Sequence, residues 1–222
     1  MERDQVKDIF EIVKNNALFA KIGIDDFDKM LTCMEMRRIG FKKGQEILLA
    51  GNPVQAVGVV LRGSVQIIHE DMEGRIHIIT ELPASELFGE TFACAGIDHS
   101  PVTVMAVDDC EILFLNYRKI ITTCSSACTF HTHLIENMLA LLAQKNLFLN
   151  RKIEILSKRS TRERLMLFFE TRCGASRKFT IPYNREELAA LLCVERSSMS
   201  GELSRMQADG LIRFHKNEFE LL

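Results

Sequence analysis

Residues 184–212 read NREELAALLCVERSSMSGELSRMQADGLI, and their spacing decides the character of the C-terminal end. Asn184 with Glu187 three residues on has the form of a capping box, which predicts a helix start. Leu188, Leu191 and Leu192 give that helix an apolar side, and Ala189 is small enough for another helix to cross closely. Cys193-Val194-Glu195 supplies a brief turn. A second helix is expected over 196–208, with Met199, Leu203 and Met206 on its buried face. Asp209-Gly210 stops it, because glycine accepts the left-handed conformation of a helix C-terminus. Two short helices, a tight turn and a small residue at the crossing meet the needs of a helix-turn-helix. The other face of the second helix then presents Arg196, Ser197, Ser200, Ser204 and Arg205. Arginine holds guanine through paired hydrogen bonds, and serine hydroxyls reach bases or phosphates. Downstream, 211–215 and 218–221 flank Lys216-Asn217, which predicts a β-hairpin wing with Lys216 available to phosphate.

Moving towards the N-terminus, 162–172 is amphipathic, with Leu165, Phe168 and Phe169 apolar, and the polar stretch 158–161 before it reads as a hinge. From Tyr117 to about Ser157 the pattern is helical. Leu139, Asn146 and Ile153 recur every seven residues, as do Ile135, Leu142, Leu149 and Leu156. These are the a and d positions of a heptad, and one Asn at an a position favours a two-stranded pairing in fixed register. A homodimer through this helix is expected, with Leu147 and Phe148, off the seam, packing on the chain's own sheet.

Earlier still, about 36–115 changes to short β-branched runs between turn signals. Strands are expected over 46–49, 57–61, 64–69, 76–82, 102–106 and 110–115, with Asp71-Met72-Glu73-Gly74 closing a hairpin. Such spacing predicts an antiparallel sandwich or roll. Before it lie short helices, one carrying Val6, Phe10 and Val13, the next capped by Asp25 and carrying Phe27, Met30, Leu31 and Met34. The fold class is therefore α+β.

A chain of 222 residues with 47% hydrophobic content can bury two cores. It has no run of 18 apolar residues, and Met1-Glu2-Arg3-Asp4 lacks the basic-then-apolar form of a secretory signal, so a cytoplasmic protein without a membrane partner is expected. Charge is uneven. Residues 151–222 carry a formal +4 and residues 1–150 a formal −6, which suits a polyanion-binding C-terminal end. The seven cysteines are scattered, with no C-x-x-C pair, which argues against a disulfide framework. No Ser/His/Asp grouping, phosphate loop or carboxylate pair stands out, so no enzyme activity is expected.

The order of short helices, β-roll, long helix, hinge and winged helix-turn-helix resembles the cyclic-AMP receptor protein/FNR (CRP/FNR) family of bacterial transcriptional regulators. The likeness runs through Leu18-Phe19-Ala20, Lys43-Gly44-Gln45 with Gly51, Val60-Leu61-Arg62-Gly63 and the Leu87-Phe88-Gly89-Glu90 turn. It continues in Val194-Glu195-Arg196-Ser197-Ser198 and Leu203-Ser204-Arg205-Met206. The resemblance implies an effector domain over 1–120, a dimerisation helix over 121–157 and a DNA-binding domain over 158–222. It further implies an inverted-repeat DNA site, RNA polymerase as a partner and an effector between roll and long helix, with Gly89, Glu90, His99, Ser100 and Thr103 about the pocket.

Two departures qualify that reading. The family's cyclic-nucleotide binders follow the Gly-Glu turn with an Arg-Ser or Arg-Thr pair that neutralises the phosphate. Here the stretch is Asp98-His99-Ser100-Pro101-Val102-Thr103, and no arginine lies between Glu90 and Arg118. A phosphodiester buried without a cation is poorly compensated, so cyclic AMP is not the expected effector, whose identity stays open. Gly201 stands where relatives often carry a large polar side chain, which shifts base readout to Arg196, Ser197 and Ser200 and keeps open a dimeric ligand-binding module without DNA affinity. A haem- or metal-dependent sensor of the same fold is the other alternative. The first 32 residues contain no cysteine for a family-type iron–sulfur cluster. Cys124, Cys128, His131 and His133 offer soft ligands, but their spacing matches no standard finger, and packing at the base of the long helix is the better reading. No metal site is assigned.

Overall fold

The computed structural model describes residues 3–122, 128–174 and 176–222. The chain forms two compact units, 1–143 and 144–222. The division falls inside the long helix and not at the polar stretch 158–161.

The first unit opens with α1 (Arg3–Val13), a 3-10 turn (Ala17–Phe19) and α2 (Ile24–Cys33). Val6, Ile9 and Val13 are buried at helical spacing on α1. The cap of α2 differs from expectation. Gly23 is its N-cap, without a side-chain hydrogen bond, and Asp25 and Asp26 lie in the first turn. There they complement the positive end of the helix dipole and cap nothing.

Eight strands follow: β1 (Arg37–Phe41), β2 (Glu46–Leu48), β3 (Ala56–Arg62), β4 (Val65–Glu70), β5 (Ile76–Leu82), β6 (Leu87–Phe88), β7 (Thr103–Ala106) and β8 (Cys110–Asn116). They make two four-stranded antiparallel sheets, ordered β1-β8-β3-β6 and β2-β7-β4-β5. Between β6 and β7 sits α3 (Glu90–Cys94), and α4 (Tyr117–Ile121) follows β8. The expected hairpin is present, with His69 opposite His77 and Gly74 at φ +78°. Asp71 accepts the backbone N–H groups of Glu73 and Arg75 and the Arg75 guanidinium, which together hold its carboxyl well below the ordinary carboxylate range.

The roll interior is apolar and aromatic. Val60, Val65, Phe88, Val104, Ala106, Cys110 and Ile112 form its core, with Phe41 and Phe114 against it. The Phe88 ring lies directly on Gly58, where an added Cβ would come 2.1 Å from the ring. Phe88 and Phe114 meet edge to face at 6.2 Å, a favoured aromatic geometry.

The long helix α5 (Thr129–Leu156) runs for 28 residues. In the first unit its Phe130, Leu134, Met138 and Leu141 join the core of α1, α2 and the β3–β8 face. The buried Asn137 amide donates to the carbonyls of Leu18 (2.9 Å) and Ala20 (2.7 Å), fixing the N-terminal turn to the helix.

The second unit holds the end of α5, then α6 (Thr161–Glu170), β9 (Lys178–Thr180), α7 (Arg185–Leu191), α8 (Arg196–Ala208), β10 (Ile212–His215) and β11 (Glu218–Leu221). A separate core joins Ile155, Leu165, Phe168, Phe169, Leu188, Leu192, Met199, Leu203, Met206 and Phe219. The three strands form a sheet ordered β10-β11-β9. Leu147 and Phe148 of α5 are 59% and 55% exposed. No helix among the described residues is long and apolar enough to cross a membrane.

Candidate nucleic-acid interface and effector pocket

Helix α7 starts as its sequence requires. The Asn184 side chain accepts from the N–H groups of Glu186 and Glu187, both at 2.9 Å, while the Glu187 carboxylate accepts the Asn184 N–H at 2.8 Å. Its end carries the tight turn. Cys193 adopts φ +52°, and the Val194 N–H reaches back to the Ala189 carbonyl at 3.0 Å, a left-handed C-terminal closure made without glycine. Arg164 of α6 braces this turn. Its Nη1 donates to the carbonyls of Leu192 (3.1 Å) and Cys193 (3.3 Å), and its Nε donates to the Lys158 carbonyl at 3.0 Å. One guanidinium thus ties the hinge, α6 and the turn together.

Helix α8 buries Met199, Leu203 and Met206 and turns Arg196, Ser197, Ser204 and Arg205 to solvent, with Ser200 half-buried. These side chains are not equally available. Arg196 is 64% exposed, and its one ion partner among the described residues is the Glu186 carboxylate at 3.7 Å. Arg205 is drawn back along its helix to Glu202 at 2.7 Å. Glu202, almost fully buried, also receives Arg162 Nε at 2.5 Å, and Arg162 Nη1 reaches Asp209 at 2.7 Å. The hydrogen bonds to Glu202 and Asp209 hold the Arg162 guanidinium firmly protonated. Ser204 donates to the Ser200 carbonyl at 3.2 Å, so its proton is already engaged. Around Gly201 an added Cβ would meet nothing within 4 Å, so this position lies open beside the reading face.

The wing follows, with His215 paired to Glu218 and Lys216 exposed at the tip at φ +51°. Arg185, at the start of α7, stacks its guanidinium over Phe214 (5.1 Å) and Phe219 (5.3 Å). It also donates from Nη2 to the Lys216 carbonyl at 2.9 Å. Burial lowers its pKa from the ordinary arginine value. Sequence patterning singled out neither Arg164 nor Arg185, because both act across the fold on backbone carbonyls and rings far away in the chain.

In the first unit, Gly89 opens α3 at φ +81° and places Glu90 in a buried position, where it accepts from the Thr91 hydroxyl at 3.2 Å. Ser100 is buried and folded onto its own turn, donating to the Val102 carbonyl at 2.6 Å. Thr103 accepts the Ala50 N–H at 3.0 Å. These two hydroxyls therefore hold loops together. His99 lines a cleft of about 510 Å³ with Asp98, Asn116, Tyr117 and Arg118. A second cleft of about 490 Å³, which shares Pro53, Val54 and Gln55 with the first, is lined also by Ile47, Leu48, Asn52, Ala56, Phe88 and Phe114.

Of the four possible soft ligands, Cys124 lies outside the described residues. His131 is buried, with its Nε2 3.4 Å from Cys33 Sγ, and His133 faces Glu136 at 3.9 Å. Among the described residues no group of three or more His, Cys, Asp or Glu side chains converges as a metal site would require.

On α5, Leu139, Leu149 and Ile153 are 64%, 55% and 65% exposed, Asn146 is exposed, and Ile135, Leu142 and Leu156 are half-buried. The Asn146 carbonyl oxygen accepts from Asn150 at 2.8 Å.

Comparison with known proteins agrees with this geometry. Residues 38–127 match the cyclic nucleotide-binding domain, and residues 163–222 match the Crp-like helix-turn-helix domain. The cyclic AMP receptor protein of Thermus thermophilus is 26% identical over 211 residues, 94% of either chain. The crystal structure of the Thermus thermophilus catabolite activator protein superposes with a TM-score of 0.55 at 24% identity, covering 93% of this chain and 94% of that one. The structure of DNR from Pseudomonas aeruginosa gives a TM-score of 0.53 at 16% identity, covering 100% and 95%. With a β-roll of the cyclic-nucleotide-binding type joined to a Crp-like reading helix, the chain belongs to the CRP/FNR family of DNA-binding transcriptional regulators.

Proposed function

We propose that the protein works as a homodimer on an inverted-repeat DNA site and answers to a small effector other than a cyclic nucleotide. The observation that carries the DNA part is the free face of α8, where Arg196 and Ser197 project beside the half-buried Ser200 while Met199, Leu203 and Met206 anchor the opposite side. Arg196 is the primary base reader, and Lys216 at the wing tip supplies a phosphate contact. Arg205 and Ser204 act mainly on their own helix, given the partners they already have.

The dimer part is supported by the exposed Leu139, Leu149 and Ile153 at heptad spacing, too much apolar surface for one helix to leave in water. Two copies of α8 then address half-sites about one helical turn apart. The effector part is supported by the lack of any arginine between Glu90 and Arg118 and by the Ser100 hydroxyl being turned onto its own loop.

The test is selection of duplex sites from a random pool, followed by binding curves for Arg196→Ala. The substitution is expected to cost about 1–3 kcal/mol and to relax preference at one base position per half-site. Unchanged sequence preference would sink the assignment of α8 as reader. Titration with cyclic AMP to millimolar concentration is expected to give no heat, and a saturable signal would reject the effector reading.

A further inference from the structure

The second unit contains a cleft that the DNA-reading role does not use. Its floor is Ile155 of α5, Phe168 of α6, and Leu191 and Leu192 at the end of α7, and Phe148 closes one side. Arg151, Lys152 and Arg172 stand on the rim, and no carboxylate lines it. The three cations have no ion-pair partner among the described residues, although Arg172 also rests on the Phe168 ring at 5.1 Å and donates to the Tyr183 hydroxyl at 3.4 Å. At 100° per residue, Phe148, Arg151 and Ile155 fall on the side of α5 opposite Leu139, Asn146 and Ile153. A dimer formed through that seam leaves the cleft open.

We propose that this cleft binds a small monocarboxylate with a compact apolar body, an arene or short acyl acid. The cavity of about 100 Å³ takes the apolar part, and the unpaired cations hold the carboxylate at the rim. Phe148 is more than half exposed and lines this cleft, so an apolar body bound there covers its ring. The cleft is built by the end of α5 on one side and by α6 and α7 on the other, and α7 leads through Cys193 straight into the reading helix. A ligand wedged there favours one placement of the reading helix over others, and DNA must then change the ligand's affinity by the same factor.

The test uses the full chain, with phenylacetate and hexanoate as probes and their neutral amides as controls, followed by calorimetry and ligand-observed NMR. The acids are expected to bind at millimolar or lower concentration and about tenfold tighter than the amides. Arg151→Gln with Arg172→Gln should erase the preference for the acid, and Phe148→Ser should weaken acid and amide alike. Phe148 is exposed, so that variant keeps the fold and reports on the cleft. No binding at ten times the millimolar range, equal binding of acid and amide, or acid binding indifferent to both variants would overturn the assignment. So would equal competition by inorganic phosphate, which needs no apolar floor. These measurements contain no DNA, so their failure leaves the reading of α8 untouched. A second arm with the selected duplex measures the coupling, expected as a change of several-fold or more in DNA affinity with phenylacetate present. An unchanged affinity in an acid-binding protein would overturn the regulatory half of the inference.

Discussion

At the scale of single residues, several side chains act by finishing backbone that the fold leaves open. Arg185 is the clearest case, because it joins the start of α7 to the tip of the wing through one carbonyl and two rings. If the clamp positions Lys216 for phosphate, Arg185→Ala and Lys216→Ala are coupled. Each alone is expected to weaken DNA binding and to lower the salt slope by about one phosphate contact, and the double variant should add little further loss. Fully additive losses in that cycle would mean that Arg185 serves wing stability alone. Glu163 offers a test by pH. Its carboxylate accepts the N–H groups of Ser160 (3.0 Å) and Arg159 (3.1 Å), and these bonds lower its pKa from the usual glutamate value. A carboxyl with a lowered folded pKa stabilises above its unfolded pKa, and the contribution disappears as pH falls through the folded value. Glu163→Gln should therefore melt lower than the parent near neutral pH, and the gap should close on acidification below the ordinary glutamate range. A gap that stays constant down to strongly acidic pH would remove the charge from the explanation.

At the scale of elements, the roll shows two strands fitted to each other through one ring and one glycine. Gly58 and Phe88 are reciprocal, since the ring occupies the space that any side chain at position 58 would need. Gly58→Ala should thus be destabilising by about 1–3 kcal/mol in denaturant titration, as an overpacked core site, and Gly58→Ala with Phe88→Leu should recover much of the loss. Failure of the second substitution to rescue would mean that the strand, and not the ring, resents the methyl group. This pair was not legible in the sequence. The helix-turn-helix was, because Asn184 with Glu187, the Leu188–Leu192 spacing and Gly210 each state a local geometry that the chain obeys. The hairpin at Asp71 was legible for the same reason. Long-range effects hid from sequence patterning. Ser100 looks like a ligand group beside a pocket, yet its hydroxyl proton goes to the Val102 carbonyl, and Thr103 accepts the Ala50 N–H across the loop. Asp25 looks like a cap, yet the chain enters α2 through Gly23 and leaves the carboxylate in the first turn. Arg205 looks like a base contact until the buried Glu202 beneath it is seen to require two guanidinium partners.

At the scale of the whole molecule, the charge pattern and the seam bear on a single question, how a chain of net charge −2 grips a polyanion. Its positive excess lies in residues 151–222 and is modest at +4, so one copy holds few phosphates. The proposed dimer supplies a physical remedy. Two copies joined through α5 would turn the second half-site contact into an intramolecular event, which raises overall affinity by about 10²–10⁴ without any new kind of contact. The seam is the place to test it. Leu149 and Ile153 are more than half exposed in the single chain, so charging them cannot open its own core. Leu149→Glu with Ile153→Glu is expected to sediment as a monomer, to keep its helical circular dichroism, and to lose about two orders of magnitude in affinity for the inverted repeat. Its affinity for an isolated half-site should match that of the parent chain at low salt. If the charged variant stays dimeric, the copies meet elsewhere than the 135–156 seam. If it becomes monomeric and still holds the inverted repeat at full strength, a single α8 with its wing carries the recognition, and the argument from duplication fails.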